Sequence, residues 1–153
     1  MITYTVSLFG HRRIDDYNKL DKHLEKIVKE LININEFVEF FIGRNGDFDE
    51  YAASVIKRVQ KSVGKEKCAL TLVIPYTVSN IEYYQNYYDS VLIPDELYGV
   101  YPKSAITERN KFMIDRSDLV LVWCERDSGG AYNAEKYART KCEKVVNIAY
   151  ADG

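Results

Sequence analysis

Three short stretches of this 153-residue chain combine glycine with basic or polar side chains: Gly10-His11-Arg12-Arg13, Gly43-Arg44-Asn45-Gly46-Asp47 and Ser128-Gly129-Gly130. Glycine lets a backbone come close to a ligand, and the free N–H groups at the start of a following helix attract anions. Arg12 and Arg44 can add charge-assisted hydrogen bonds, so the chemistry these stretches suit is the grip of a phosphate. His11 can donate to phosphate, touch a base or move a proton near neutral pH. Any one of these loops is also an ordinary tight turn; the signal lies in their combination.

Carboxylates near the loops widen the possible chemistry. Asp47 and Asp49 follow the second loop, and Glu108 and Glu125 lie near the third, where a carboxylate can polarise water or hold a ribose hydroxyl. Most of the 23 acidic residues must be solvated surface groups. Asp47 has capping-box spacing with Glu50, which leaves helix N-cap and ligand contact both open, and Asp49 is the freer candidate. Arg109 precedes the most apolar run of the chain and either reaches the ligand edge or pairs with Asp115 or Glu108. His11 and His23 are too far apart to form a metal cluster, and Cys68, Cys124 and Cys142 lack metal-ligand spacing, so no metal or cofactor is expected. Neither G-x-G-x-x-G nor G-x-x-x-x-G-K-S/T occurs, which removes support for the standard dinucleotide and ATP-hydrolysing loops.

The elements that must carry these loops alternate. Short β-rich apolar runs occupy Ile2 to Phe9, Phe37 to Ile42, Cys68 to Ile74, Asp89 to Ile93, Leu119 to Cys124 and Val145 to Ile148. Between them, helical spacing relates Leu20, Leu24, Ile27, Val28 and Leu31 behind the possible caps Asp15 and Asp16. The same spacing relates Ala52, Val55, Ile56, Val59 and Val63, and later Ala131, Ala134, Tyr137 and Ala138. A further helix is predicted from Lys103 to Arg116. This order implies one Rossmann-like, doubly wound α/β domain over 1–153, with a mostly parallel sheet flanked by helices and ligands bound at the carboxyl ends of the strands. All three glycine loops then emerge on one edge. Tyr76 to Pro102 is less regular and rich in tyrosine, and it reads as an insertion or lid that packs over the sheet edge, joins subunits or stacks on a base.

Bulk properties set the limits. A content of 46% apolar and 29% charged residues excludes a disordered chain, and a net charge of -2 gives no general attraction for nucleic acid or anionic membranes. No apolar stretch approaches the ~20 residues of a bilayer span, the first residues enter a strand pattern rather than a signal peptide, and an odd cysteine count suits a reducing compartment. A cytoplasmic protein without membrane partner or disulfide is expected.

Taken together, Phe9-Gly10-His11-Arg12, Gly43 with Asp47, Arg109 to Asp118, and Gly129-Gly130 resemble the SLOG superfamily of Rossmannoid domains, which includes DprA-like, LOG-like and YpsA-like members. Leu8-Phe9-Gly10-His11-Arg12 is most similar to the YpsA-like branch, where a Gly-His-Arg loop follows the first strand. LOG enzymes, which cleave the N-glycosidic bond of nucleoside monophosphates, carry R-K-x-x-M-x-x-x-S-D before a strand and P-G-G-x-G-T-x-x-E after it. Arg109, Met113, Ser117 and Asp118 match the first pattern, with Asn110 in place of Lys. In the second, Asn133 stands at the Thr and Lys136 at the catalytic Glu. Glu135 is adjacent, but one helical residue turns a side chain by about 100°.

The resemblance therefore implies a domain that senses, carries or sequesters a nucleotide derivative. Its expected ligand contacts are Gly10, His11, Arg12, Gly43, Arg44, Gly46, Asp47, Arg109, Ser128, Gly129, Gly130 and Asn133. The alternative is a nucleoside-phosphate or ADP-ribosyl hydrolase using Arg109 with Asp49, Glu108 or Glu135. The third is DprA-like binding of single-stranded DNA, which the overall acidity disfavours. Self-association is expected alongside the nucleotide-like ligand.

Overall fold

The apolar runs are continuous because both faces of the strands are covered, as in parallel sheets generally. In the computed structural model, which describes residues 1–150, the order of elements is β1 (Thr3–Gly10), α1 (Tyr17–Ile34), β2 (Phe37–Ile42), α2 (Asp47–Val63), β3 (Cys68–Val73) and α3 (Ile81–Tyr87). β4 (Ser90–Leu92), a 3-10 turn at Asp95–Leu97, α4 (Pro102–Asp115), β5 (Leu119–Trp123), α5 (Gly130–Lys141) and β6 (Val145–Asn147) follow. The six strands form one sheet in the order β4-β3-β2-β1-β5-β6, and every pairing is parallel. This is the Rossmann-like α/β architecture expected from the alternation.

Side chains alternate between two layers. Val6 and Leu8 of β1, Val38, Phe40 and Ile42 of β2, and Leu121 and Trp123 of β5 pack with the buried stripe of α1 and α2. Phe9, Phe41, Val120 and Val122 point to the other layer, where Met113 of α4 and Ala131, Ala134 and Ala138 of α5 cover them. Small residues on α5 let that helix approach β5 closely. Asp16 caps α1 by accepting the Lys19 N–H.

Two details depart from the sequence reading. Asp47 is not the cap of α2: Gly46 holds that position, no side chain caps the helix, and the Asp47 carboxylate accepts the Ile14 N–H at 3.1 Å. The Tyr-rich stretch contributes α3, which was not expected, beside the edge strand β4 expected at Asp89 to Ile93, so much of it belongs to the regular layers. α3 buries none of its own residues completely, which is why no apolar stripe marked it. Cys68, Cys124 and Cys142 are all free thiols, and among the described residues no helix is long and apolar enough to cross a membrane.

Candidate functional site

Successive connections run one way from β1 to β4 and the other way from β5 to β6, so the chain reverses between β1 and β5. Open α/β sheets leave a crevice at such a switch point, outside the carboxyl ends of the strands. A cleft of about 400 Å³ lies there, lined by Gly10, His11 and Arg12 after β1, Asn45, Gly46 and Asp49 after β2, and Arg126 and Ser128 to Ala131 after β5, with Arg109 and Asn110 from α4. All three glycine loops reach it.

Arg109 dominates the chemistry of this cleft. It lies in the buried row Ala105, Arg109, Phe112, Met113 of α4 and is only 4% exposed. Its Nε and Nη2 donate to the neighbouring Asn110 Oδ1 at 3.2 and 2.7 Å, while its buried Nη1 has no acceptor. Burial lowers its pKa, Asp49 opposes that shift and Arg44 adds to it. A guanidinium does not lose its proton in a protein, so a buried charge is held under the cleft, attracted by Asp49 but without an ion-pair partner in contact among the described residues. Neither expected ion pair forms: Glu108 pairs with Lys111 and Asp115 accepts from Tyr137. Gly43 makes the burial possible, because a Cβ there would collide with the guanidinium. Gly43 lies outside the cleft lining and supports the site from beneath.

A second orphan lies in the same cleft. The Asn45 Nδ2 is buried without a partner, although the Asn45 backbone N–H donates to Asp49 at 2.9 Å. Among the described residues, Asp49 is the only carboxylate lining the cleft. Burial raises its pKa, against the Asn45 hydrogen bond and the attraction of Arg109.

The two helix N-termini at the cleft differ. At α2, the first N–H groups are spent within the protein: Asp47 N–H donates to the Arg12 carbonyl at 2.8 Å and Phe48 N–H to the His11 carbonyl at 3.3 Å. At α5, no described backbone or side-chain acceptor takes the N–H groups of Gly130, Ala131 or Tyr132. Gly129, with φ 97°, turns the chain into that helix, and open space surrounds both Gly129 and Gly130. The α5 terminus is thus the one able to receive an anion.

His11 is buried, and its Nε2 accepts the Glu125 N–H at 2.8 Å, clipping the β1 loop to the β5 loop. Burial lowers its pKa and Arg126 adds to this, with Glu125 opposing. A neutral ring with Nε2 as acceptor carries its proton on Nδ1, which is the donor left for a ligand.

The other expected residues lie elsewhere. Arg44 is exposed and crosses Tyr84, with its guanidinium carbon 5.4 Å from the ring centroid. With Asp47, Glu50, Tyr83, Tyr84, Tyr87 and Tyr88 it lines a neighbouring recess of about 460 Å³ that meets the cleft at Gly46. Glu135 pairs with Arg139 at 2.7 Å, and the Lys136 ammonium stands 5.3 Å from the Tyr132 centroid. Glu108, Asn133, Glu135 and Lys136 are outside the cleft lining. Of the residues at LOG spacing, Met113 is core, and Ser117 and Asp118 bond Ser7 and Thr5 of β1, leaving Arg109 alone at the cleft. Asn45, Asn110 and Arg126 were not singled out from sequence. Asn45 stood between two glycines, the one local hint.

No family model and no curated protein matches the chain. Two solved structures share its fold. DNA processing protein A (DprA) from Streptococcus pneumoniae superposes with a TM-score of 0.65 at 18% identity over 90% of this chain and 47% of that one. The structural-genomics target TM1055 does so with a TM-score of 0.52 at 12% identity, over 90% of this chain and 67% of that one. The chain therefore spans about half the length of the DprA structure, and the likeness is one of fold.

Proposed function

We propose that this chain is a binding domain for an anionic nucleotide derivative, held in the cleft between the ends of β1, β2 and β5. One observation carries the reading: Arg109 and Asn45, which line the same cleft, each hold a buried donor, Nη1 and Nδ2, with no acceptor among the described residues. Buried polar groups are nearly always satisfied in folded proteins, and an unpaired buried charge costs several kcal/mol. An anion in the cleft supplies an acceptor and adds to the counter-charge that Asp49 provides. The open α5 N-terminus, Arg12 and Arg126 favour the same class of ligand. The SLOG resemblance of the glycine loops, YpsA-like in the first, gives the nucleotide character, and the DprA and TM1055 folds are compatible with it.

Thermal stabilisation by a panel of nucleoside phosphates tests this directly. Saturable stabilisation is expected in the wild-type chain and a loss of at least tenfold in affinity in Arg109→Gln. No stabilisation by any member of the panel would overturn the reading.

Hydrolysis of an N-glycosidic bond, in a nucleoside phosphate or ADP-ribosyl compound, is the second reading, and Asp49 favours it. A carboxyl whose pKa is raised by burial beside a phosphate site suits proton donation to a leaving base. Against it, Lys136 replaces the LOG glutamate and lies outside the cleft lining. Chromatography decides: free base accumulating with the wild type and not with Asp49→Asn would establish turnover. DprA-like binding of single-stranded DNA rests on the fold likeness alone. Cytoplasmic location, absence of a membrane partner and self-association belong to the same proposal.

A further inference from the structure

One stretch of chain walls both the cleft and the Tyr-rich recess of about 460 Å³ beside it. After β2, Asn45 lines the cleft, Arg44 lines the recess and Gly46 borders both. In the first turn of α2, Asp49 lines the cleft while Asp47 and Glu50 line the recess. For a ligand whose anionic group is gripped by Arg109 and Asn45, the recess is the neighbouring space for the rest of the molecule.

The recess suits something flat. Its four tyrosines are not equivalent: Tyr88 is buried, and the Lys57 ammonium, 3.7 Å from the Tyr87 centroid, takes a face of that ring. Tyr83 is 64% exposed and meets Tyr84 edge-to-face, at 82° with centroids 5.3 Å apart. Such a contact leaves the faces of the edge-on ring uncovered. The Arg44 guanidinium, which donates to the Tyr84 hydroxyl at 3.4 Å, adds a second planar surface. Aromatic faces and guanidinium planes are the surfaces on which nucleobases stack.

From this continuity we infer that the recess is the base subsite of the ligand whose phosphate lies in the cleft, and that its carboxylates select guanine. The inference rests on the nucleotide-binding reading above. One Asp47 carboxylate oxygen accepts the Ile14 N–H, whereas the Glu50 carboxylate is exposed and meets no donor among the described residues. A carboxylate accepts two parallel N–H bonds. Guanine offers two adjacent donors, its ring N–H and its amino group, while adenine sets a lone pair beside its amino group and is repelled. Asp47, Asp49 and Glu50 together oppose the further phosphates of a strand, so the ligand is a free nucleotide rather than a base within an oligonucleotide.

Isothermal titration of the full chain at constant ionic strength, with guanosine and adenosine 5′-monophosphates, ribose 5-phosphate and a guanosine trinucleotide, tests each part. Guanosine monophosphate is expected to bind about tenfold more tightly than ribose 5-phosphate, the gain of one stacked base. It should also bind more tightly than adenosine monophosphate. Tyr83→Ser should erase the advantage over ribose 5-phosphate without weakening ribose 5-phosphate itself, and Glu50→Gln should erase the advantage over adenosine monophosphate. Both side chains are exposed, so unchanged melting temperatures are expected. Nucleotides that bind no more tightly than ribose 5-phosphate, or an advantage that survives Tyr83→Ser, would overturn the base subsite and leave the anion-binding reading standing. Equal affinity for the two monophosphates overturns the selection of guanine, and a trinucleotide that outcompetes them overturns the assignment to a free nucleotide. Failure of every compound to bind overturns both readings.

Discussion

At the scale of single residues, the site trades stability for chemistry. Arg109 occupies a place in the α4 stripe that an apolar side chain would fill without cost, so Arg109→Met should leave the melting temperature unchanged or raise stability by about 1–4 kcal/mol while abolishing nucleotide binding. A melting curve and a titration on the same sample check both halves. The motif spacing revealed Arg109, but only the row Ala105, Arg109, Phe112, Met113 reveals that it is buried, because a charge in a core stripe looks like noise until the packing is known. His11 gives a pH signature. Its folded pKa lies below the ordinary 6.5, so below about pH 6.5 the unfolded chain takes up a proton that the folded chain resists. Stability should be intact above that pH and fall as pH drops through the lowered value. In His11→Gln the slope should flatten in denaturation curves from pH 7.5 to 5.

At the scale of elements, glycines decide how closely loops and helices approach. A Cβ at Gly43 would collide with the Arg109 guanidinium, at Gly10 with the Phe48 ring and at Gly46 with the Arg12 backbone. Gly10→Ala should destabilise by about 1–3 kcal/mol, because Phe48 is completely buried and cannot swing away. Gly43→Ala should retain the fold by pushing Arg109 aside and should lower nucleotide affinity, measured by titration against the wild type. These glycines looked like ligand contacts in sequence; Gly10 and Gly46 line the cleft, while Gly43 packs beneath Arg109 outside the lining, a distinction that local composition does not carry. The four inner strands were legible because both of their faces are largely buried, and the edge strands β4 and β6 by their short β-rich runs. α3 was not, since its tyrosines are shared between solvent and a partly covered recess, which produces no period.

At the scale of the whole molecule, one layer holds α1 and α2 and the other holds α4 and α5, and the cleft opens where the two halves of the sheet part company. The recess beside it and the surface beyond β4 carry most of the exposed aromatic area: Tyr98 is 95% and Tyr101 is 82% exposed. Self-association through that surface predicts concentration-dependent sedimentation that Tyr98→Ser with Tyr101→Ser abolishes, at unchanged melting temperature. The placement of β1 has a further consequence for how the chain is made. β1 is synthesised early, yet its neighbour β5 begins at Leu119, and the His11–Glu125 clip needs residue 125. While a ribosome is still producing the middle of the chain, β1 can pair with β2 but keeps one long apolar edge unpaired. Such an edge invites other strands. The cleft is thus completed late in translation, and a chain released before β5 would be prone to aggregate and would lack the proposed binding site.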